Sequence, residues 1–325
     1  MDQDVPEVRE RMTEAVRRAS RVCRRVQSSL RVADATTKDD RSPVTVADLA
    51  AQVLVVRALA ATCPGIPVVG EEDASILRGD AAAPLRGDVL ARVREEWPDA
   101  TEDAALAALD RGGHGGGASG RFFVLDPIDG TKGFLRGEQY AIALALVEEG
   151  RVVAGVLGCP NLADEGGGRG LLLHAVRGGG TTVSPIDGTG TAGAAARASA
   201  RSDPRSLRLC ESVETGHSDR SASTAVLARL GATGEPVRMD SQAKYGLLAL
   251  GRGDLYLRTP TKPGRSEWIW DHAAGVIVLE EAGGCVTDLD GAPLDFSRGR
   301  TLAGNRGIVA TNGRLHDAVM AALRE

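Results

Sequence analysis

Residues 121–125 form an apolar run that leads without a break into Asp126-Pro127-Ile128-Asp129-Gly130-Thr131. Two more apolar runs follow, 140–147 and 152–157, joined through Glu148-Glu149-Gly150. Apolar stretches separated by so short a polar link read as a β-hairpin, so the middle of the chain is committed to a sheet. Helical patterns precede it. Val5, Val8, Met12, Ala15, Ala19, Val22, Val26 and Leu30 recur at steps of three and four, one face of a long amphipathic helix. Its other faces carry Arg17, Arg18, Arg21, Arg24 and Arg25, which read as a solvated face rather than a phosphate patch. A second helix is expected over 46–61, stopped by Pro64 and Gly65, then a buried strand over 66–69 that ends at Gly70-Glu71-Glu72. One helix is expected over 89–109. The glycine run 112–117 lacks the Lys-Ser/Thr of a phosphate-binding loop and reads as a flexible link, with His114 an exposed loop histidine.

Residues 163–170 and 177–203 are rich in Gly, Ala, Ser and Thr, and a change of domain is placed there. The expected units are an N-terminal α+β domain, 1–165, and a C-terminal α/β domain, 166–325. In the second, strands are expected at 208–211, 254–258 and 308–311, and helices at 221–230, 243–250, 271–282 and 314–324. Alternating helices and strands in both halves give an α/β (α+β) class with stacked helix and sheet layers.

Composition narrows the function. The 39 Lys and Arg against 44 Asp and Glu leave a net charge of −5, which argues against nucleic acid as a partner. Aromatics are scarce, at 3%, too few for an extended base-stacking surface. The 42% apolar share supports a sizeable core. No stretch approaching a membrane span is expected. The acidic start, Met1-Asp2-Gln3-Asp4, shows no signal-peptide pattern, and the five scattered cysteines form no CxxC pair. A cytoplasmic protein with free thiols is the expectation.

The chemistry concentrates in Asp126-Pro127-Ile128-Asp129-Gly130-Thr131. Two carboxylates three apart sit where a strand is expected to end, stiffened by a proline. Hard cations such as Mg²⁺ take oxygen ligands of this kind, and the Ile128 carbonyl adds a neutral one. Gly130 and Thr131 are expected to open a helix whose free N–H groups suit a phosphate. Further acids stand at three comparable places. Glu71 and Glu72 follow a strand, while Asp48 and Asp271 start helices. Each alone reads as a cap or a solvated charge. Together they form the inventory of a metal-assisted phosphatase.

Thr45-Val46-Ala47-Asp48, Gly70-Glu71-Glu72, Asp126-Pro127-Ile128-Asp129-Gly130-Thr131 and Trp270-Asp271-His272-Ala273-Ala274-Gly275 resemble the Mg²⁺-dependent, lithium-sensitive phosphatases of the inositol monophosphatase superfamily. Residues 132–141, Gly158-Cys159-Pro160-Asn161-Leu162, Asp240-Ser241-Gln242-Ala243-Lys244-Tyr245 and Pro293-Leu294-Asp295-Phe296 are similar to its 3′(2′),5′-bisphosphate nucleotidase branch. The resemblance spans roughly 42–72, 121–177 and 208–319. It implies the layered αβαβα sugar-phosphatase fold and hydrolysis of the 3′-phosphate of adenosine 3′,5′-bisphosphate. The related 5′-phosphosulfate is a second substrate, and the setting is sulfur assimilation. It implies that Glu71, Asp126, Ile128 through its carbonyl, Asp129 and Asp271 hold two to three Mg²⁺ ions, with Li⁺ and Ca²⁺ as inhibitors. Asp48 and Thr131 are then a hydrogen-bonded pair that activates water. Gly130, Thr131, His217, Ser241, Lys244, Arg258 and Asp271 bind the substrate. The expected partner is a small nucleotide bisphosphate, with no nucleic acid and no membrane, bound by a monomer or weak homodimer. Residues 73–120 and 178–207 depart from the branch, the first being expected as a flap and loop beside the metals.

Three other readings stay open: an inositol phosphate phosphatase of the same superfamily, a nucleotide-binding sensor without turnover, and an interaction protein built on the basic N-terminal helix. Lys244 as a solvated helix lysine and Arg258 as the partner of a nearby acid are the plain alternatives to phosphate binding.

Overall fold

The computed structural model describes residues 4–30, 43–164, 166–188, 192–214, 220–260, 264 and 266–324. Two long helices, α1 (Val5–Leu30) and α2 (Pro43–Thr62), come first. A seven-stranded sheet follows, built from β1 (Val68–Gly70), β2 (Arg121–Asp129), β3 (Ala141–Glu148), β4 (Arg151–Ala163), β5 (Arg169–Val176), β6 (Gly180–Pro185) and β7 (Ala194–Ala196). Its strands lie side by side in chain order. Between β1 and β2 the chain makes α3 (Ala83–Arg94) and α4 (Glu102–Asp110), and after β2 the short α5 (Thr131–Leu135). A second sheet has the order β11-β12-β10-β8-β9. It comprises β8 (Leu209–Glu211), β9 (Val237–Arg238), β10 (Leu255–Arg258), β11 (Cys285–Thr287) and β12 (Ile308–Thr311). Helices α6 (Arg220–Leu230), α7 (Ala243–Ala249), α8 (Ala273–Glu281) and α9 (His316–Arg324) complete the chain.

Three apolar cores join five layers, the middle core spanning both sides of the central helices. Phe123 and Leu125 of β2 face the core shared with α1 and α2. Phe122 and Val124, on the opposite face, join α7, α8 and the inner face of the second sheet. The outer face of that sheet, with Leu255, Leu257 and Val309, packs on α6 and α9. The order is αβαβα, as expected. Both faces of each sheet are covered, which explains why the strands read as continuous apolar runs rather than as alternation. The hairpin is also as expected. Glu148 pairs with Arg151, and Glu149 and Gly150 take φ of 48° and 72°, the positive values that a two-residue turn of matching twist requires.

Several expectations are corrected. The single helix over 89–109 is two, α3 and α4. Pro98 has no N–H to continue a helix, and the Thr101 hydroxyl restarts one by accepting from Ala104 N at 3.2 Å. Strands β4 and β5 both belong to the first sheet, and the chain passes to the second sheet after Ala196. The Gly- and Ala-rich stretch that read as a boundary contains β6, β7 and part of β5.

The arginine face of α1 is not simply solvated. Arg21 and Arg25 pair with Glu96 at 2.8 and 3.0 Å. Arg24 pairs with Asp187, and Arg17 is buried with its Nε donating to Ile186 O at 3.2 Å. The 18 residues Thr45–Thr62 are long and apolar enough to cross a membrane, contrary to expectation. They belong to α2, whose Ala47, Leu49, Val53 and Val55 are fully buried in the first core, and the core accounts for their composition. The glycine run is not a free link: Gly70 N donates to Gly112 O and His114 N to Val68 O. His114 is half-buried against Phe122, ring centroids 5.5 Å apart. All five cysteines are free thiols.

Candidate active site

Strand β1 runs parallel to β2, and Glu71 N continues that pairing by donating to Leu125 O at 3.1 Å. The next residue on β2 is Asp126, so the pairing alone sets Glu71 beside it. Against β3, Asp126 pairs with Ala143 and Asp129 with Ala141. Three steps on one strand therefore oppose two on the other, a β-bulge, and it falls where Pro127 has no N–H to give. The sequence reading ended the strand at Leu125; the structure carries it through Asp129. The bulge has a direct chemical consequence. In a regular strand residues three apart face opposite ways. The extra residue restores both carboxylates to the face that carries Phe122 and Val124. The Ile128 side chain drops into the first core instead, which leaves its backbone for the cavity.

That cavity, about 310 Å³, is lined by Glu71, Asp126, Ile128, Asp129, Gly130 and Thr131 on one side. From the second half of the chain come Ser241, Lys244, Tyr256, Arg258, Trp268 and Asp271. Every lining residue expected from sequence as a metal or substrate contact is present except His217, which lies outside the described residues. Asp48 sits behind the wall on α2, buried beside Glu71, Glu72 and Asp126. Among the described residues its Oδ1 has no hydrogen-bond partner. Among the described residues no hydrogen bond joins it to Thr131, so the expected pair is not formed: Asp48 is deep while Thr131 is exposed on the cavity wall.

Electrostatics divide the cavity. Burial, then Glu71, Asp129, Asp271 and Asp48, hold the Asp126 carboxyl well above the usual range. Burial and its acidic neighbours push Glu71 up to about 8 and Asp48 well up. Asp271 rises to about 6 through burial, against the pull of Arg258. On the other side, Lys244 is buried rather than solvated. Its Nζ donates to Met239 O and lies 5.0 Å from the Tyr256 ring. Burial lowers its pKa to about 8. Arg258 ends β10 and pairs with Glu267 at 2.6 Å and Asp271 at 3.5 Å. It therefore both lines the cavity and pairs with nearby acids. Burial opposes its charge, but Tyr256, Glu267 and Asp271 hold it firmly protonated.

Residues that sequence reasoning missed hold this together. Gln242 N donates to Asp129 Oδ2 at 2.6 Å, its Nε2 to Trp270 O at 2.7 Å, and its Oε1 accepts from Gly275 N at 3.0 Å. One buried amide thus braces β2, α7 and the start of α8. Gln52 does the same for Glu72, accepting from its N at 3.1 Å, and it fills the space a Cβ on Gly70 would need. Glu267, which from sequence is an ordinary charge, is the buried counter-ion of Arg258. The one signal for Gln242 was its place in the Asp240–Tyr245 motif.

The donor set fits a hard divalent cation. It is all oxygen, its carboxyls crowd one another, and Asp126 Oδ1 is buried with no hydrogen-bond partner among the described residues. Glu267, Asp271 and His272 also approach one another closely enough for a metal, but the Arg258 guanidinium already occupies that cluster.

A five-layered fold with an acid-walled, cation-backed cavity between its two sheets is the frame of a sugar-phosphatase-like protein. The inositol monophosphatase family model matches residues 4–325, and the chain belongs to that family. It is similar to 3′(2′),5′-bisphosphate nucleotidases from Emericella nidulans (41% identical, 96% of each chain) and Schizosaccharomyces pombe (42%, 95% of this chain and 92% of the relative). The same name belongs to an Oryza sativa relative, 44% identical over 96% of this chain and 92% of its own. Solved structures of the extragenic suppressor protein suhB from Bartonella henselae (22% identical, TM-score 0.64, 98% and 99% covered) and an Anabaena inositol monophosphatase (23%, 0.62, 99% and 97%) share the fold.

Proposed function

We propose that this chain is a Mg²⁺-dependent phosphomonoesterase that removes the 3′-phosphate of adenosine 3′,5′-bisphosphate, releasing AMP and phosphate. One observation carries the reading: the carboxylates of Glu71, Asp126, Asp129 and Asp271 and the cations of Lys244 and Arg258 line one cavity. A substrate with two phosphates needs both, and the names of the relatives point the same way. Glu71, Asp126, the Ile128 carbonyl, Asp129 and Asp271 are the residues to hold Mg²⁺. Bound there, it supplies Lewis-acid polarisation of the scissile phosphate and offsets charge on the leaving oxygen.

The chain's own residues do the rest. Asp48 Oδ1, buried behind the wall and without a hydrogen bond to Thr131 here, is the eventual acceptor for the proton of the attacking water, and the Thr131 hydroxyl on the cavity wall orients that water. Gly130, at φ 91° and close against Ser241, leaves the phosphate room beside the backbone. Arg258 offers a planar fork to the second phosphate, Lys244 a point charge, and Ser241 a hydroxyl. A dianion beside Lys244 opposes the burial that lowers its pKa. His217 is proposed as a further nucleotide contact. The same reading includes the 5′-phosphosulfate nucleotide as second substrate, two to three Mg²⁺ ions, inhibition by Li⁺ and Ca²⁺, and a role in sulfur assimilation. It also includes a cytoplasmic monomer or weak homodimer.

The test is phosphate release across a panel of adenosine 3′,5′-bisphosphate, the phosphosulfate and inositol monophosphate. Arg258→Ala is expected to cost roughly 10–100-fold in kcat/KM on the nucleotide, the worth of a charged hydrogen-bonding pair, and much less on inositol monophosphate. Equal losses, or a preference of the intact protein for inositol monophosphate, would overturn the assignment. Tight nucleotide binding with no turnover under any divalent ion would instead favour a sensor.

A further inference from the structure

Trp268 is the exposed aromatic of this cavity. It is 46% exposed, whereas Trp270, two residues on, is 6% exposed. The two indoles stack, centroids 4.7 Å apart and planes within 8°. Trp270 is fixed in turn: Arg300 Cζ lies 4.8 Å from its ring centroid, and Gln242 holds its carbonyl. The backbone carrying Trp268 is also anchored. Trp268 bridges Thr301, Ile269 N donates to Arg300 O, and Leu302 N donates to Glu267 O. A large flat apolar surface is thus held rigidly in the wall of a cavity otherwise dominated by charge. The core does not need it there, since Trp270 already closes the apolar layer beneath.

We infer that Trp268 is the stacking platform for the nucleobase of the substrate. The inference rests on the nucleotide reading above and deepens it. Every base has a π-face, and an indole preordered by a stacked neighbour meets it without losing side-chain freedom. Trp268 lies in the segment that joins Arg258, through its partner Glu267, to Asp271. A base on the indole therefore sits beside the second phosphate while the other phosphate faces the acids. This makes Trp268 a specificity-determining residue: it separates nucleotide bisphosphates, purines above all, from bisphosphates of similar charge that carry no ring.

The experiment compares adenosine 3′,5′-bisphosphate with its abasic 3′,5′-bisphosphate analogue in the intact chain, Trp268→Ala and Trp268→Phe. Trp268→Ala is expected to raise KM for the nucleotide about ten-fold, the size of one base on one aromatic face. Its kcat should stay within about two-fold, its KM for the abasic substrate should not change, and Trp268→Phe should recover most of the loss. Tryptophan emission gives a readout independent of turnover. The nucleotide should quench the intact chain and quench Trp268→Phe far less, and the abasic analogue should quench neither. Equal KM changes for the two substrates, or quenching that survives in Trp268→Phe, would overturn the platform. A chain that hydrolyses neither bisphosphate refutes the proposed function, and quenching then still decides the stack.

Discussion

Replacing Glu71 by Gln is expected to make the metal-free protein more stable at neutral pH while weakening its response to Mg²⁺. Glu71 is held at about 8 against an ordinary value near 4.5, through burial and its acidic neighbours. The folded state therefore holds its proton more tightly than the unfolded chain. Its favourable contribution is complete below about pH 4.5 and is lost as pH rises toward 8. At pH 7 the group lies about 2.5 pH units above its unfolded value. At about 1.4 kcal/mol each, that is about 3.5 kcal/mol. Glu71 keeps an open face toward the cavity, where solvent screens the charge, so roughly 1–2 kcal/mol is the working figure. Gln keeps the shape and a donor toward Asp126 but cannot ionise. In chelator, Glu71→Gln and the intact chain should melt together near pH 4.5. By pH 8 the variant should melt roughly 2–4 °C higher. Added Mg²⁺ should close the gap by raising the intact chain more. Calorimetry across pH, with and without Mg²⁺, reads all three. A difference that does not change with pH, or a variant that melts lower at pH 8, would show that Glu71 is not part of a crowded acid cluster.

Asp126→Asn should bring Mg²⁺-dependent phosphate release from adenosine 3′,5′-bisphosphate down to background, because Asp126 sits at the centre of the acid wall; retained turnover would contradict its role. Gly155→Ala should cost about 1–3 kcal/mol by overpacking, read as a lower denaturant midpoint. A Cβ there would lie 2.4 Å from Ile277 Cγ2, where β4 meets α8. Gly155 does not line the cavity, so kcat of the folded fraction should change far less than stability does.

Much of the fold is legible in local patterns. The three-and-four spacing from Val5 to Leu30 returns as α1, and the Glu149-Gly150 turn returns as the hairpin, because both depend on neighbouring residues. The break between α3 and α4 was within reach, since Pro98 and Thr101 stand in the sequence; the apolar periodicity around them masked it. Strands β6 and β7 were not legible, because they are short, lie in a Gly- and Ala-rich stretch, and gain their order from the sheet edge they join. Arg21, Arg24 and Arg25 of α1 looked solvated because their acidic partners lie some 70 to 160 residues away. Trp268 and Glu267 had no local signal at all.

The sequence by itself determined the chemistry on offer: oxygen donors beside a proline, a glycine at the cavity wall, and cations separate from the acids. Side-chain type is a property of each residue and survives any arrangement. Only the tertiary structure decided that these groups converge. Parallel pairing of β1 with β2 brings Glu71 to Asp126, and one extra residue in β2 turns Asp126 and Asp129 to the same face. The seating of α7 and α8 between two sheets delivers Lys244 and Asp271 opposite them. Register, bulge and layer order arise from contacts between distant segments, and so no window of the sequence contains them.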